Sequence, residues 1–302
     1  MANKTITATI KHRQATAATW ESKNPVLAAG EFGYDTTNKI TKIGDGTTHW
    51  LDLDTFVTKP KPTFAESDWE TIAEESEKGN AQKYFAVGDE KTIELTTGEQ
   101  VTLVILGFNH DDLTSGGKAG MSIGMKNLLA TKYRMNATAT NEGGWDESEM
   151  RTSTMATLLS QFPSDLQSVI KQVNKKATAG GTSQSITTSA DKLFLLAMSE
   201  IFSATSIENS ATSTIADYAD AYNAEGTQYE YYRNLIGDNN GGTTANANLI
   251  KKLSNGSGSA NIWWLRSPYV SISVTFRCIL STGSVSFGTA SFTYGVSFGF
   301  CV

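Results

Sequence analysis

The sequence is poor in residues that cross-link or ligate a chain, and each shortage excludes something. Its two cysteines, Cys278 and Cys301, are too few for a disulfide framework. They read either as two small buried hydrophobes or as one bridge. Three scattered histidines (His12, His49 and His110), with no C-x-x-C or H-E-x-x-H spacing, leave no metal site and imply no cofactor. No histidine follows residue 110, and no Ser-His-Asp or paired-carboxylate signature occurs. No catalytic residue is therefore expected, and the chain does not read as an enzyme. No apolar run reaches 18 residues, so membrane insertion is not expected. Met1 to Gln14 is polar and lacks the apolar stretch of a secretory signal. A net charge of −6 speaks against nucleic acid as a partner, because phosphates call for a basic patch.

What is present describes an ordinary globular protein, 39% apolar and 19% charged. The pattern divides it into residues 1–57, 58–84 and 85–302. In the first region Thr5 to Ile10 alternates with period two and predicts a strand. Arg13 to Trp20 is a short polar segment, and Asn24-Pro25 starts a turn. Gly30 to Asp35 and Lys39 to Ile43 predict two strands joined around Thr37-Asn38, followed by a tight turn at Gly44 to Thr47. So few large apolar side chains bury little alone, and a partner subunit would solve that. Thr58 to Thr63, with Pro60 and Pro62, reads as a stiff linker. Phe64 to Lys83 predicts a short helix with Trp69, Ile72 and Ala73 on one face.

From Tyr84 strands take over. Lys91 to Leu95 and Val101 to Leu106 flank Thr97-Gly98-Glu99, a hairpin signal. Asp146 and Glu149 have capping-box spacing, predicting a helix that turns Met150, Met155, Leu158, Leu159 and Phe162 inward. Pro163 stops it, and Ser164 is placed to cap a second helix with Leu166, Val169, Ile170 and Val173 on one stripe. Ala177 to Ser189 reads as a loop, Asp191 to Phe202 as a buried segment, and Asp238 to Gly242 and Asn255 to Gly258 as loops. Helices together with many short strands indicate an α+β fold.

The most informative stretch is Trp263 to Val302, whose two ends are apolar and read as core strands. Trp263 and Trp264 read as core packing, and Arg266 as the centre of a buried hydrogen-bond network or ion pair. Between these ends, Tyr269 to Tyr294 keeps no strict alternation: Val285 and Phe287 fall on one parity, Phe292 and Tyr294 on the other. The segment also has no Lys, Glu, Gln, Met or Trp. Those five types are the ones an Asn codon cannot become by changing its first two bases, so adenine-directed mutagenesis would leave this filter. A β-hairpin of low charge is the plainer account, since β structure disfavours Lys and Glu.

Two resemblances bear on these residues. Arg13, Thr19-Trp20, Asn24 to Tyr34 and Lys42 to Trp50 resemble a repeat near the N-termini of phage tail-fibre proteins and are similar to the N-terminal domain of the major tropism determinants. That resemblance implies a small β trimerisation domain, an intertwined homotrimer, attachment to other phage tail proteins, and a place in the virion tail after assembly in the host cytoplasm. Residues 85–302 resemble the variable proteins of diversity-generating retroelements, and three pieces, Gly144 to Arg151, Asp191 to Leu196 and the Leu265 to Pro268 strand, also match a wider phage and bacterial group. In the variable proteins a C-type-lectin-like domain ends in a variable stretch framed by a tryptophan-rich strand and a closing Gly-Val strand. Here Ser297-Phe298 stand where the closing strand more often has Arg-Pro.

The resemblance implies a structural frame of Trp263, Trp264, Arg266 and Gly295. It also implies a receptor-binding surface of Tyr269, Val270, Ser271, Ile272, Ser273, Val274, Thr275, Arg277, Ile279, Ser286, Phe287, Thr289, Ser291, Phe292, Thr293 and Tyr294. Aromatic rings would anchor a bacterial cell-surface receptor, protein or glycan, and Arg277, the one charge in the stretch, would pair with a carboxylate on it. Three other readings stand beside this one. A formylglycine-generating-type oxidase, of the same lectin-like fold, would need Cys278 and Cys301 as its cysteine pair. A sugar-binding lectin would have to act without calcium, because the stretch offers no Asp, Glu or Asn. The last is a purely structural tail protein.

Overall fold

The structure, a computed structural model, describes residues 11–56, 62–211, 213–237, 242–254 and 258–302. The strand expected over Thr5 to Ile10 lies outside them, as do most of the linker and of the two loops expected at 238–242 and 255–258. The chain forms two compact units, Met1–Lys61 and Pro62–Val302. It is a mixed α+β protein with several small sheets.

In the first unit β1 (Arg13–Ala15) runs parallel to β2 (Phe32–Asp35), which pairs antiparallel with β3 (Ile40–Ile43). The segment read as merely polar also holds a helix, Ala17–Lys23, capped by Thr16 and ended by Asn24 at φ 33°. Its Trp20 stacks on Trp50 at 3.9 Å, and these rings with Leu27 and Leu53 make the small core. Gly33 is required there: a Cβ would stand 2.5 Å from the Trp50 ring. Asp45 closes the expected turn by accepting from the Thr47 and Thr48 amides.

The second unit is built on a five-stranded sheet. Its strands are β4 (Glu90–Glu94), β5 (Gln100–Phe108), β6 (Met121–Met125) and, from much later in the chain, β9 (Phe194–Leu195) and β15 (Phe298–Cys301). The order is β4-β5-β6-β15-β9. The helix Trp69–Glu77, capped by Asp68, buries Trp69, Ile72 and Ala73. Phe298 and Phe300 pack on Phe162 at 5.1 and 5.9 Å. Three expectations are corrected. The Asp146–Glu149 box does not form. A separate single turn, Gly144–Glu147, stands behind Gly143 at φ 76°, Ser148 is extended, and the helical segment runs from Met150 to Leu159, while Arg134 takes the Glu149 carboxylate and Arg151 contacts Asp146. Ser164 is the first residue of its helix rather than the cap, and the helix ends at Val169, so Val173 opens a strand. The loop expected over Ala177 to Ser189 is a hairpin, β7 (Val173–Gly180) against β8 (Ser183–Asp191). Its Ser, Thr and Ala side chains pair across the ladder, and Gly180 and Gly181 make the reversal at φ 72° and 61°.

After a small pair, β10 (Lys251–Lys252) with β11 (Ala260–Asn261), the chain enters an antiparallel sheet of β12 (Trp263–Pro268), β13 (Thr275–Ile279) and β14 (Val285–Thr289). The lost parity now has a physical cause. The strand stops at Thr289, Ala290 is buried, and the Phe292 amide donates back to the Thr289 carbonyl, so Phe292 lies in a turn and Tyr294 follows it in a separate bridge to Tyr133.

Candidate binding surface

The frame is a charge network sealed inside the second unit. Every residue of β12 is buried. Trp263 and Trp264 donate their indole N–H to the carbonyls of Leu249 and Tyr133 at 3.2 and 2.8 Å. Arg266 grips Glu200 through both terminal nitrogens, at 2.5 and 2.7 Å, and also donates to the carbonyls of Lys176, Leu195 and Glu225. Glu200 is shared with Lys175, which reaches Asp111 at 2.6 Å; Asp111 in turn accepts from Ser122 and Tyr229. Burial alone would raise the Asp111 and Glu200 carboxyls. The Lys175 charge at Asp111, and Arg266 with Lys175 at Glu200, outweigh it and hold both below their ordinary values. At Glu225 burial wins, pushing the carboxyl up to about 7 against the donors Ser267 and Thr178 and the charge of Arg266.

Two of the three motif pieces, Gly144 to Arg151 and Asp191 to Leu196, meet at Asp191. It accepts from the Trp145 indole at 2.8 Å and from Arg151 at 2.6 Å. At the closing strand, Gly295 is buried, and the Ser297 hydroxyl receives the amine of Lys251 at 2.9 Å.

On this frame the sixteen expected surface residues divide. Ser271, Ile272, Phe287, Phe292 and Thr293 are exposed, with Phe287 at 46% and Phe292 at 55%. Ser273, Val274, Ser286, Thr289, Ser291 and Tyr294 are half-buried. Tyr269, Val270, Thr275, Arg277 and Ile279 are buried, which corrects the expectation for these five. Thr275 and Ile279 lie on the central strand of the three-stranded sheet. Arg277 is 2% exposed and cannot greet a partner's carboxylate; it bonds the Tyr222 hydroxyl at 2.8 Å. Phe287 lies parallel to Tyr269 at 4.8 Å, and Phe292 meets Tyr294 edge-on at 6.4 Å.

Tyr294 itself rests on Trp264 at 4.5 Å and exchanges backbone hydrogen bonds with Tyr133. Gly288 lies beneath it, where a Cβ would come within 2.3 Å of the Tyr294 ring. Gly288→Ala is therefore expected to displace that ring and cost about 1–3 kcal/mol, read as a lower urea midpoint. An unchanged midpoint would show that the ring moves freely.

Sequence reading missed Asn141. Fully buried, it offers its amide to the carbonyls of Tyr269, Ile272 and Thr275 at 2.6–3.2 Å, and its oxygen accepts from Gly181. It fixes the loop that carries Ile272. The two cysteines are free and buried in different sheets. Burial pushes Cys278 up to about 12 and Cys301 well above its ordinary value, so both are held as thiols. Among the described residues no helix is long and apolar enough to cross a membrane.

Residues 10–48 match the major tropism determinant N-terminal domain, which supports a tail-related phage protein and a virion component. Among solved structures, a streptococcal bacteriophage hyaluronidase, determined with unsaturated hyaluronan octa-saccharides, is 24% identical over 18% of this chain and 15% of its own, with a TM-score of 0.17. No curated protein matches the chain. Residues 122–302, the greater part of the length and the whole of the frame from Ser122 to the closing strand, match a domain of unknown function, DUF6273, and the chain belongs to that family.

Proposed function

We propose that the chain is a bacteriophage tail receptor-binding protein that sets host tropism. Its second unit acts as a C-type-lectin-like frame, and exposed side chains within residues 269–294 bind a receptor on the bacterial surface. The reading takes this stretch as diversified by a retroelement, the chain as a homotrimer, and other tail proteins as its attachment. One observation carries it: two phenylalanine rings stand in solvent, Phe287 on the edge strand β14 and Phe292 in the turn after it, above the buried strands β12 and β13. The match of residues 10–48 supports the tail context. Exposed Phe32 and Phe56 in the first unit, 6.1 Å apart, support association between copies.

Side chains at these exposed positions can change at little cost to the core, which is what a variable surface needs. Phe287→Ala with Phe292→Ala is expected to weaken adsorption of the labelled protein to host cells by roughly a hundredfold or more, as loss of two aromatic anchors does. The melting temperature should not move. Unchanged adsorption would sink the proposal. Diversification is tested separately by the DNA downstream of the gene: a near-copy of the 3′ coding end, differing at adenines, beside a reverse transcriptase.

A further inference from the structure

Phe287 does not stand alone. Directly across the ladder from it is Arg277, and the two share Tyr269. The Arg277 guanidinium carbon lies 4.2 Å from the centre of the Tyr269 ring, which is parallel to Phe287 within 3°. The same guanidinium lies 4.9 Å from the Tyr222 ring, and its Nε donates to the Tyr222 hydroxyl at 2.8 Å. Tyr222 belongs to the helix Ala219–Asn223, is fully buried and lies outside residues 269–294. A stack of this kind removes the freedom of an exposed ring before any partner arrives, so less is lost on binding. Only a planar cation can both stack on Tyr269 and donate sideways to a hydroxyl; a lysine cannot do both.

We infer that Arg277 is a positioning residue: held by Tyr222, it fixes the Tyr269 ring and through it presents Phe287 in one orientation, while neither Arg277 nor Tyr222 touches the partner. Its consequence for adsorption rests on the receptor-binding reading; the ordering of the Phe287 ring does not.

The test uses the full chain with Tyr222→Phe, Arg277→Lys, Phe287→Ala and Phe292→Ala, and with Tyr222→Phe and Arg277→Lys each combined with Phe287→Ala. Without any ligand, aromatic carbon relaxation of the residue 287 ring should show a lower order parameter in Tyr222→Phe and in Arg277→Lys. On bacterial cells that adsorb the parent, each of these two should dissociate about three- to tenfold faster, the loss expected for one aromatic stacking contact. Association should be unchanged. In the Phe287→Ala background neither substitution should have any further effect. A merely structural role would act equally in both backgrounds and lower the melting temperature in step. Unchanged order at residue 287, or an effect that persists undiminished in Phe287→Ala, overturns the inference. If Arg277→Lys does not fold, Tyr222→Phe carries the test. If Phe287→Ala and Phe292→Ala both leave adsorption unchanged, the receptor reading falls, and the ring-order measurement still decides the positioning role.

Discussion

Arg266→Ala is expected to lower the stability of the second unit by about 3–5 kcal/mol, the cost of leaving one partner of a buried ion pair behind. That is a large share of a domain's usual margin. The guanidinium is fully buried and spends its N–H groups on Glu200 and on the carbonyls of Lys176, Leu195 and Glu225. Alanine can replace none of these bonds. Glu200 would keep Lys175, but Lys175 is already divided between it and Asp111. The pH dependence has a definite sign. In the parent, the charges of Arg266 and Lys175 overcome the effect of burial and hold Glu200 low. With Arg266 gone, Lys175 and the Ala197 amide are left to oppose burial, and the carboxyl should move up, as it does at Glu225. A raised carboxyl contributes stability below its unfolded value near 4.5 and loses it as pH rises through the folded value. The deficit of Arg266→Ala should therefore be larger at pH 7 than at pH 5. Urea midpoints at the two pH values measure it; a loss below about 1 kcal/mol would mean the network is not what holds the frame.

What the sequence made legible was set by how local each cause is. Thr97-Gly98-Glu99 specifies its hairpin within three residues, with Gly98 at φ 82°, and Asp68 caps its own helix. The burial of Trp263, Trp264 and Arg266 could be read from an apolar run containing one cation. The β7–β8 hairpin could not. Its inward face carries Lys175 and small side chains, and Lys175 is buried because Asp111 and Glu200 wait for it from distant parts of the chain. Arg277 is the same lesson within residues 269–294. As the only charge there it reads as exposed, yet its partner Tyr222 is 55 residues away in sequence. Asn141, in a segment that looks like an ordinary turn, meets carbonyls 128 to 134 residues downstream. The exposed rings Phe287 and Phe292 were within reach of sequence reasoning, and the buried residues that arrange them were not.

Lys251 should make stability rise with pH through the neutral range. Its amine is buried, bonded to the Met125 carbonyl and the Ser297 hydroxyl, and lies 5.1 Å from the Trp263 ring, with no carboxylate among these contacts. Burial brings it down from 10.5 to about 7. Between those values the unfolded chain binds a proton that the folded chain does not, so folding is penalised, and the penalty shrinks as pH rises toward 10.5. Below about 7 both states carry the proton and the penalty is constant. The slope is at most about 1.4 kcal/mol per pH unit. Lys251→Met removes the titration together with two hydrogen bonds, and Ser297 still has the Met125 carbonyl at 3.3 Å as an acceptor. The stability of the variant relative to the parent should therefore be highest at or below pH 7 and fall steadily toward pH 8.5. That window stays below the unfolded value of the cysteines, which is near 9. Above it Cys278 works in the opposite sense: its raised thiol contributes stability below 9 that is lost as pH rises toward 12. Urea unfolding of both proteins at pH 6.5, 7.5 and 8.5 gives the difference directly. A difference that stays flat across the three values would mean that Lys251 keeps its proton inside the fold, and that the closing strand is held by a buried cation after all.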